Sequence, residues 1–180
     1  MTPRLSTRSV LTLTLLLFMG PTPIRAQSSS TAKPVRQPAP HAIQVLKIAS
    51  SETKLPPAFE MAVYENTLEQ VKKTGLFEEI YRDGDRRAGN ATGLVTLRAD
   101  LRGFKKGSAM ERQVITVAGT TSIKVHMQLV QPDGKVLLDK DVKGEVHFFG
   151  ENMRATLNLG KSIAHVLKDN FEKPAAGKKS

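Results

Sequence analysis

The stretch ITVAGTTSIKVHMQLVQPDGKVLLDKDVKGEVHFF, residues 115–149, decides the fold. Its middle, QPDGK (131–135), is a turn, and Asp133-Gly134 is the strongest short hairpin signal in the chain. On one side of the turn Ile115, Val117, Ile123, Val125, Met127 and Leu129 share a face; on the other side Val136, Leu138, Val142, Val146 and Phe148 do. Period-two alternation with one apolar face is the mark of a sheet packed on one side and wet on the other. Pairing Gln131 with Val136 puts Leu129 opposite Leu138, Val125 opposite Val142 and Thr121 opposite Val146, so the apolar side chains fall together. A one-residue slip would set Leu129 against Leu137 and Met127 against Asp139, mixing core with charge, and a slip of that kind exchanges the faces of the whole strand.

Working outward, LVTLRADLRG (94–103) repeats the pattern, with Val95, Leu97, Ala99 and Leu101 alternating with Thr96, Arg98, Asp100 and Arg102. HAIQVLKIA (41–49) reads as a first strand and LFEEIYR (76–82) as a second, followed by a polar loop over 83–93. Between those strands, Pro56 and Pro57 lead into a helix over 57–74. Phe59, Val63 and Thr67 form one row of it, and Met61, Tyr64, Leu68 and Val71 the next. Lys72 and Lys73 suit the carboxyl end of its dipole, and Gly75 is the stop. A last helix over 152–171 is expected to bury Met153, Leu157, Gly160, Ala164, Leu167 and Phe171, with small Gly160 and Ala164 allowing close approach to the sheet. The expected fold class is α+β: a two-layer sandwich of a mixed, mostly antiparallel sheet containing a meander, with two helices on one face.

The ends differ in kind from this core. Residues 1–26 combine Arg4 and Arg8, an apolar run over 10–20 and Ile24-Arg25-Ala26, which is the export pattern, with cleavage expected between Ala26 and Gln27. The run is shorter than the roughly 20 residues a membrane span needs. Residues 27–40 are Ser- and Pro-rich and read as a disordered linker, and 172–180 as a disordered basic tail, leaving one domain over 41–171. The chain has no Cys, so neither a lipid-bearing cysteine nor a disulfide is available. The expected address is therefore periplasmic or secreted and soluble, with no transmembrane segment after cleavage. The formal charge of +10 becomes +7 once Arg4, Arg8 and Arg25 are removed, a surplus suited to anionic surroundings.

Chemistry is harder to find. Ser122, His126 and Asp141 share the wet face, but Ser122 and His126 are four strand residues apart, about 13 Å. A nucleophile and its base must meet within about 3 Å. The histidines at 41, 126, 147 and 165 do not converge: His126 and His147 lie about 20 Å apart along the hairpin. Asp83 and Asp85 open something like a calcium loop that lacks its central Gly and closing Glu. No enzyme activity, cofactor or metal is expected. The basic stretch LRGFKKGSAMER (101–112) offers Arg102, Lys105, Lys106 and Arg112 as a candidate partner-binding loop, with nucleic acid excluded by export and by the lack of stacking aromatics beyond Phe104.

The helix end VKKTGLFEEIYR, the strand GLVTLRADLRGF, the segment ERQVITVAGTTSIKVHMQLVQPDGKVL with Arg112 and Gly119, and the terminal amphipathic helix together resemble an uncharacterised bacterial family, the domain of unknown function numbered 4410. The resemblance covers about residues 57–171. It implies an exported or envelope-associated protein without established activity. The same layout is similar to the amino-terminal domain of the periplasmic Tol component and to the periplasmic domain of curli-secretion pores, both protein-interaction domains. The functional expectation is a non-enzymatic cell-envelope domain that binds a protein partner of unknown identity, in an unknown oligomeric state. The alternative is a binder of an anionic small molecule, polysaccharide or lipid head group through the basic loop.

Overall fold

Strand β1 (Gln37–Pro38) and strand β2 (Ala42–Val45) come first, followed by helix α1 (Pro57–Thr74) and strand β3 (Glu79–Arg82). A 3-10 turn (Arg86–Asn90) leads to strand β4 (Leu94–Lys105), then β5 (Thr121–Val130), β6 (Val136–Val146), helix α2 (Arg154–Asn170) and the short β7 (Phe171–Glu172). These elements belong to a computed structural model, which describes residues 36–50, 53–108, 119–146 and 152–173. The main sheet has five strands in the order β3-β2-β4-β5-β6. Strand β2 sits between β3 and β4 and runs parallel to both, while β4, β5 and β6 form an antiparallel meander. Both helices lie over the apolar face of the sheet, giving the expected α+β, two-layer build.

The hairpin register is the one that the apolar pattern demands. Leu129 pairs with Leu138, Val125 with Val142, Thr121 with Val146 and His126 with Asp141. Next to the turn the ladder departs from expectation: a shift between Leu129 and Val130 pairs Val130, not Gln131, with Val136. The turn itself closes through Gln131 N–H to the Lys135 carbonyl at 2.9 Å and Gly134 N–H to the Gln131 carbonyl at 2.9 Å. Gly134 holds φ at 88°, which its missing Cβ permits. That bulge moves Val136 out of step, so it is 46% exposed instead of sharing the core face.

Ile43, Val45, Val95, Leu97, Leu101, Ile123, Val125, Met127 and Leu129 are all buried, at 4% exposure or less, against the two helices. Each such side chain contributes roughly 1.5–3 kcal/mol on leaving water. From α1 come Phe59, Val63, Tyr64, Leu68 and Val71, and Gly75 ends the helix in the left-handed conformation, its N–H bonded to the Lys72 carbonyl. Met61, expected in the stripe, is 57% exposed. On a helix of 3.6 residues per turn it lies about 120° from the middle of the buried arc, which Thr67, Gln70 and Thr74 help to fill.

Helix α2 is rotated from its expected setting. Its buried row is Ala155, Leu159, Gly160, Ile163, Ala164 and Leu167, and Met153 and Leu157 are only half-buried. Gly160 faces α1 and not the sheet: a Cβ there would sit 2.9 Å from the Asn66 carbonyl oxygen. Asn66 Nδ2 donates to Thr156 Oγ1 at 2.8 Å across the same helix–helix seam. The close approach to the sheet is made by Gly144 of β6, where a Cβ would lie 2.2 Å from the Ala155 carbonyl oxygen.

Gln37 and Pro38, placed by composition in the linker, form β1 and pair in parallel with Phe171 and Glu172. Ala39 is buried, and its N–H reaches the Glu172 carbonyl at 2.9 Å. The ordered fold thus begins before residue 41 and runs past 171. Buried Phe171 anchors the contact, a tertiary interaction that Pro-rich composition does not reveal.

Candidate functional site

Among the described residues no second layer covers the sheet face away from the helices, and its side chains form four transverse levels on β4, β5 and β6. Arg98, Gln128 and Asp139 make the first, and Asp100, His126 and Asp141 the second. Arg102, Lys124 and Lys143 make the third, and Lys105, Ser122 and Glu145 the fourth.

The second level holds His126 between two carboxylates. Nδ1 lies 2.9 Å from Asp141 Oδ1 and Nε2 lies 3.2 Å from Asp139 Oδ1. Asp139 also accepts from Gln128 Nε2 at 2.7 Å. The cross-strand contact with Asp141 follows from the register; Asp139 was missed because it reaches the ring diagonally from two residues along the strand. Ser122 occupies the fourth level, two levels from His126, so a Ser–His–Asp relay does not assemble. The carboxylates flank opposite ring nitrogens and do not converge on a point, and among the described residues no group of three metal-ligating side chains forms. His41 meets Glu78 at 3.5 Å and His165 meets Asp169 at 3.3 Å, each as a separate surface pair. His147 lies outside the described residues.

Of the two acids of the polar loop, Asp85 is used within the loop and Asp83 ties it to the segment after β2. Asp85 accepts from Arg87 N–H at 3.0 Å and from its guanidinium, which holds the Asp85 carboxyl below the usual carboxylate range. Asp83 Oδ2 accepts from Lys47 N–H at 3.3 Å. At the edge strand β3, Arg82 makes a two-pronged contact with Glu65, both bonds 2.7 Å, and this hydrogen bonding lowers the Glu65 pKa.

The basic stretch is placed partly as expected. Arg102 lies in β4, as the alternation over 94–103 has it, Lys105 also lies in β4 and not in a loop, and Lys106 follows the strand. All three are exposed. The ladder pairs Leu101 with Val125 but Gly103 with Lys124, so Arg102 is the extra residue of a bulge. The bulge resets the alternation: Phe104 turns to the helix side and packs edge-to-face on Phe59, with ring centroids 5.1 Å apart. Gly103 inside an alternating run is the sequence signal for such a bulge. Arg112, Ala26 and Gln27 lie outside the described residues.

Arg102, Lys124 and Lys143, with Asp141 and the backbone around Val125 and Val142, line an open depression of about 300 Å³. Lys124 and Lys143 are directly opposed in register. No helix among the described residues is long and apolar enough to cross a membrane.

No protein-family model matches the chain, and no curated protein matches it. Among solved structures the chain is similar to the PelC dodecamer from Paraburkholderia phytofirmans in two crystal forms, C2 and P6. Identity is 13% and 12%, the TM-score is 0.55 in both, and the match covers 79% and 77% of this chain and 96% of each PelC chain. At that identity the likeness establishes the α+β fold and nothing finer.

Proposed function

We propose that this chain is an exported, non-enzymatic interaction domain of a bacterial cell envelope, and that it meets its protein partner through the open face of β4, β5 and β6. One observation carries the reading. Both helices pack on one side of the sheet, so among the described residues a face about 10 residues long and three strands wide has no covering layer and presents charged side chains. The amino-terminal pattern of residues 1–26 supports the address. PelC is solved as a dodecamer, which favours counting further copies of this chain among the partners.

Two experiments test the proposal. Intact-mass analysis of the exported protein is expected to find Gln27 at the amino terminus; a chain still beginning at Met1 would remove the localisation. A photoreactive residue at Gln128, on the open face, is expected to yield a discrete cross-linked species in cells, while the same residue at Lys72 on α1 does not. Equal yields from both positions would remove the open face as the contact surface.

A further inference from the structure

We propose that Arg102, Lys124 and Lys143 form a binding site for a phosphate group on the open sheet face. Along the β5–β6 ladder the other levels of this face set no like charges against each other: Ser122 opposes Glu145, His126 opposes Asp141, and Gln128 opposes Asp139. The third level alone, among these described pairs, sets like charges against each other, Lys124 against Lys143. Directly opposed like charges in a sheet are destabilising. The β4 bulge adds a third cation to that level, because Gly103 occupies the position facing Lys124 and Arg102 is the inserted residue beside it. Bulges commonly re-aim a side chain in this way next to functional sites.

The nearby carboxylates offset the mismatch only in part. Asp141, which also lines the depression, is bonded to His126, and Glu145 pairs with Lys143 at 3.1 Å. Arg102 and Lys124 have no ion-pair partner among the described residues. Arg102 and Lys124, with Lys143 shared with Glu145, line a depression of about 300 Å³, at the small end of ligand pockets, and suit a tetrahedral group with up to two negative charges. A carboxylate has one charge and two oxygens, and two are already present. The phosphate could belong to a free small molecule or to a lipid head group; the cations recognise what the two share. In this site Arg102 acts from the strand, together with residues of β5 and β6. The inference rests on the open face being available, but not on the existence of a protein partner.

The test uses the mature full-length chain with two probes: inorganic phosphate followed by calorimetry and amide chemical shifts, and flotation with phosphatidylglycerol or phosphatidylcholine vesicles. Binding is expected, weakening as salt rises. Lys124→Gln and, separately, Arg102→Gln are expected to lower affinity about tenfold each, the loss of one charge-assisted contact. Lys161→Gln, an exposed cation on α2, is expected to leave it unchanged. Because Lys124→Gln removes a repulsion, its melting temperature is expected to equal or exceed that of the parent chain. Binding of inorganic phosphate identifies a free ligand, and binding only to phosphatidylglycerol vesicles identifies a lipid source. Failure of the parent chain to bind either probe overturns the inference, as does equal weakening by Lys161→Gln. Neither result touches the protein-contact proposal, which the Gln128 cross-link reports on separately.

Discussion

Gly144→Ala tests the layer contact that holds α2 to the sheet. Gly144 lies in β6 opposite Ile123, and a Cβ built on it would be 2.2 Å from the Ala155 carbonyl oxygen, 2.4 Å from the Leu159 nitrogen and 2.6 Å from Leu159 Cβ. Two of those three atoms are backbone, so no side-chain rotation clears them. Relief requires α2 to move by about 1 Å, given ordinary contact distances of about 3.5 Å or more. The helix is tied in place by Asn158 Nδ2 to the Glu145 carbonyl at 2.7 Å and by Thr121 Oγ1 to Asn152 Oδ1 at 2.8 Å. Leu159, Ile163 and Leu167, all within 1% of full burial, would shift with it. Overpacking of this kind costs about 1–3 kcal/mol, and a backbone clash belongs at the upper end. For a domain of this size about 3 kcal/mol corresponds to a melting temperature lower by roughly 10 °C. Thermal unfolding followed by circular dichroism gives the measurement. Gly103→Ala is the control, since a Cβ there meets nothing within 4 Å, and it is expected to melt within about 2 °C of the parent. A Gly144→Ala protein as stable as the Gly103→Ala control would refute the close packing of β6 on α2.

Val125→Asp is expected to unfold the domain, because Val125 is 1% exposed opposite Val142 and an unpaired buried charge costs several kcal/mol; its neighbour His126→Ala is expected to cost less than about 1 kcal/mol in a denaturant titration. Replacing Lys105 and Lys106 together by Ser is expected to leave the melting temperature unchanged, since both are exposed, and a drop would show that they pack. Glu65 has its pKa lowered by Arg82, so the stabilisation from that pair is present above the ordinary carboxylate pKa and is lost as pH falls through the depressed value. Arg82→Ala is expected to return the Glu65 pKa upward toward that of a free carboxyl in an NMR titration.

The sheet was legible where one residue type repeated every second position. Val125, Met127 and Leu129 face the side of Val142 and Leu138, because a one-residue slip would have buried Asp139 and Lys143. Gly75 marked the end of α1 for an equally local reason, its left-handed conformation. What stayed hidden depended on contacts distant in sequence. The parallel placement of β2 between β3 and β4 leaves no period to read. The pairing of Gln37 and Pro38 with Phe171 and Glu172 joins a Pro-rich segment to a helix end more than a hundred residues away. Leu159 and Ile163 were overlooked because Gly160, Ala164 and Leu167 fit two neighbouring rows on the same helix, and only packing against α1 and β6 selects between them. In the candidate site the error was of the same kind. The run 101–112 reads as a basic loop, whereas Gly103 marks a bulge within a strand, and the cations that Arg102 joins, Lys124 and Lys143, come from two other strands.

Lysine footprinting compares the two sides of the molecule most directly. The mature chain is acetylated once as purified protein and once in intact envelope, and each lysine is followed by mass spectrometry. Lys124 and Lys143 on the open face are expected to lose reactivity in the envelope by several-fold, while Lys72 on α1 and Lys161 on α2 keep it. Undiminished reactivity of Lys124 and Lys143, or protection confined to Lys72 and Lys161, would contradict an interaction domain that works through the open face of its sheet.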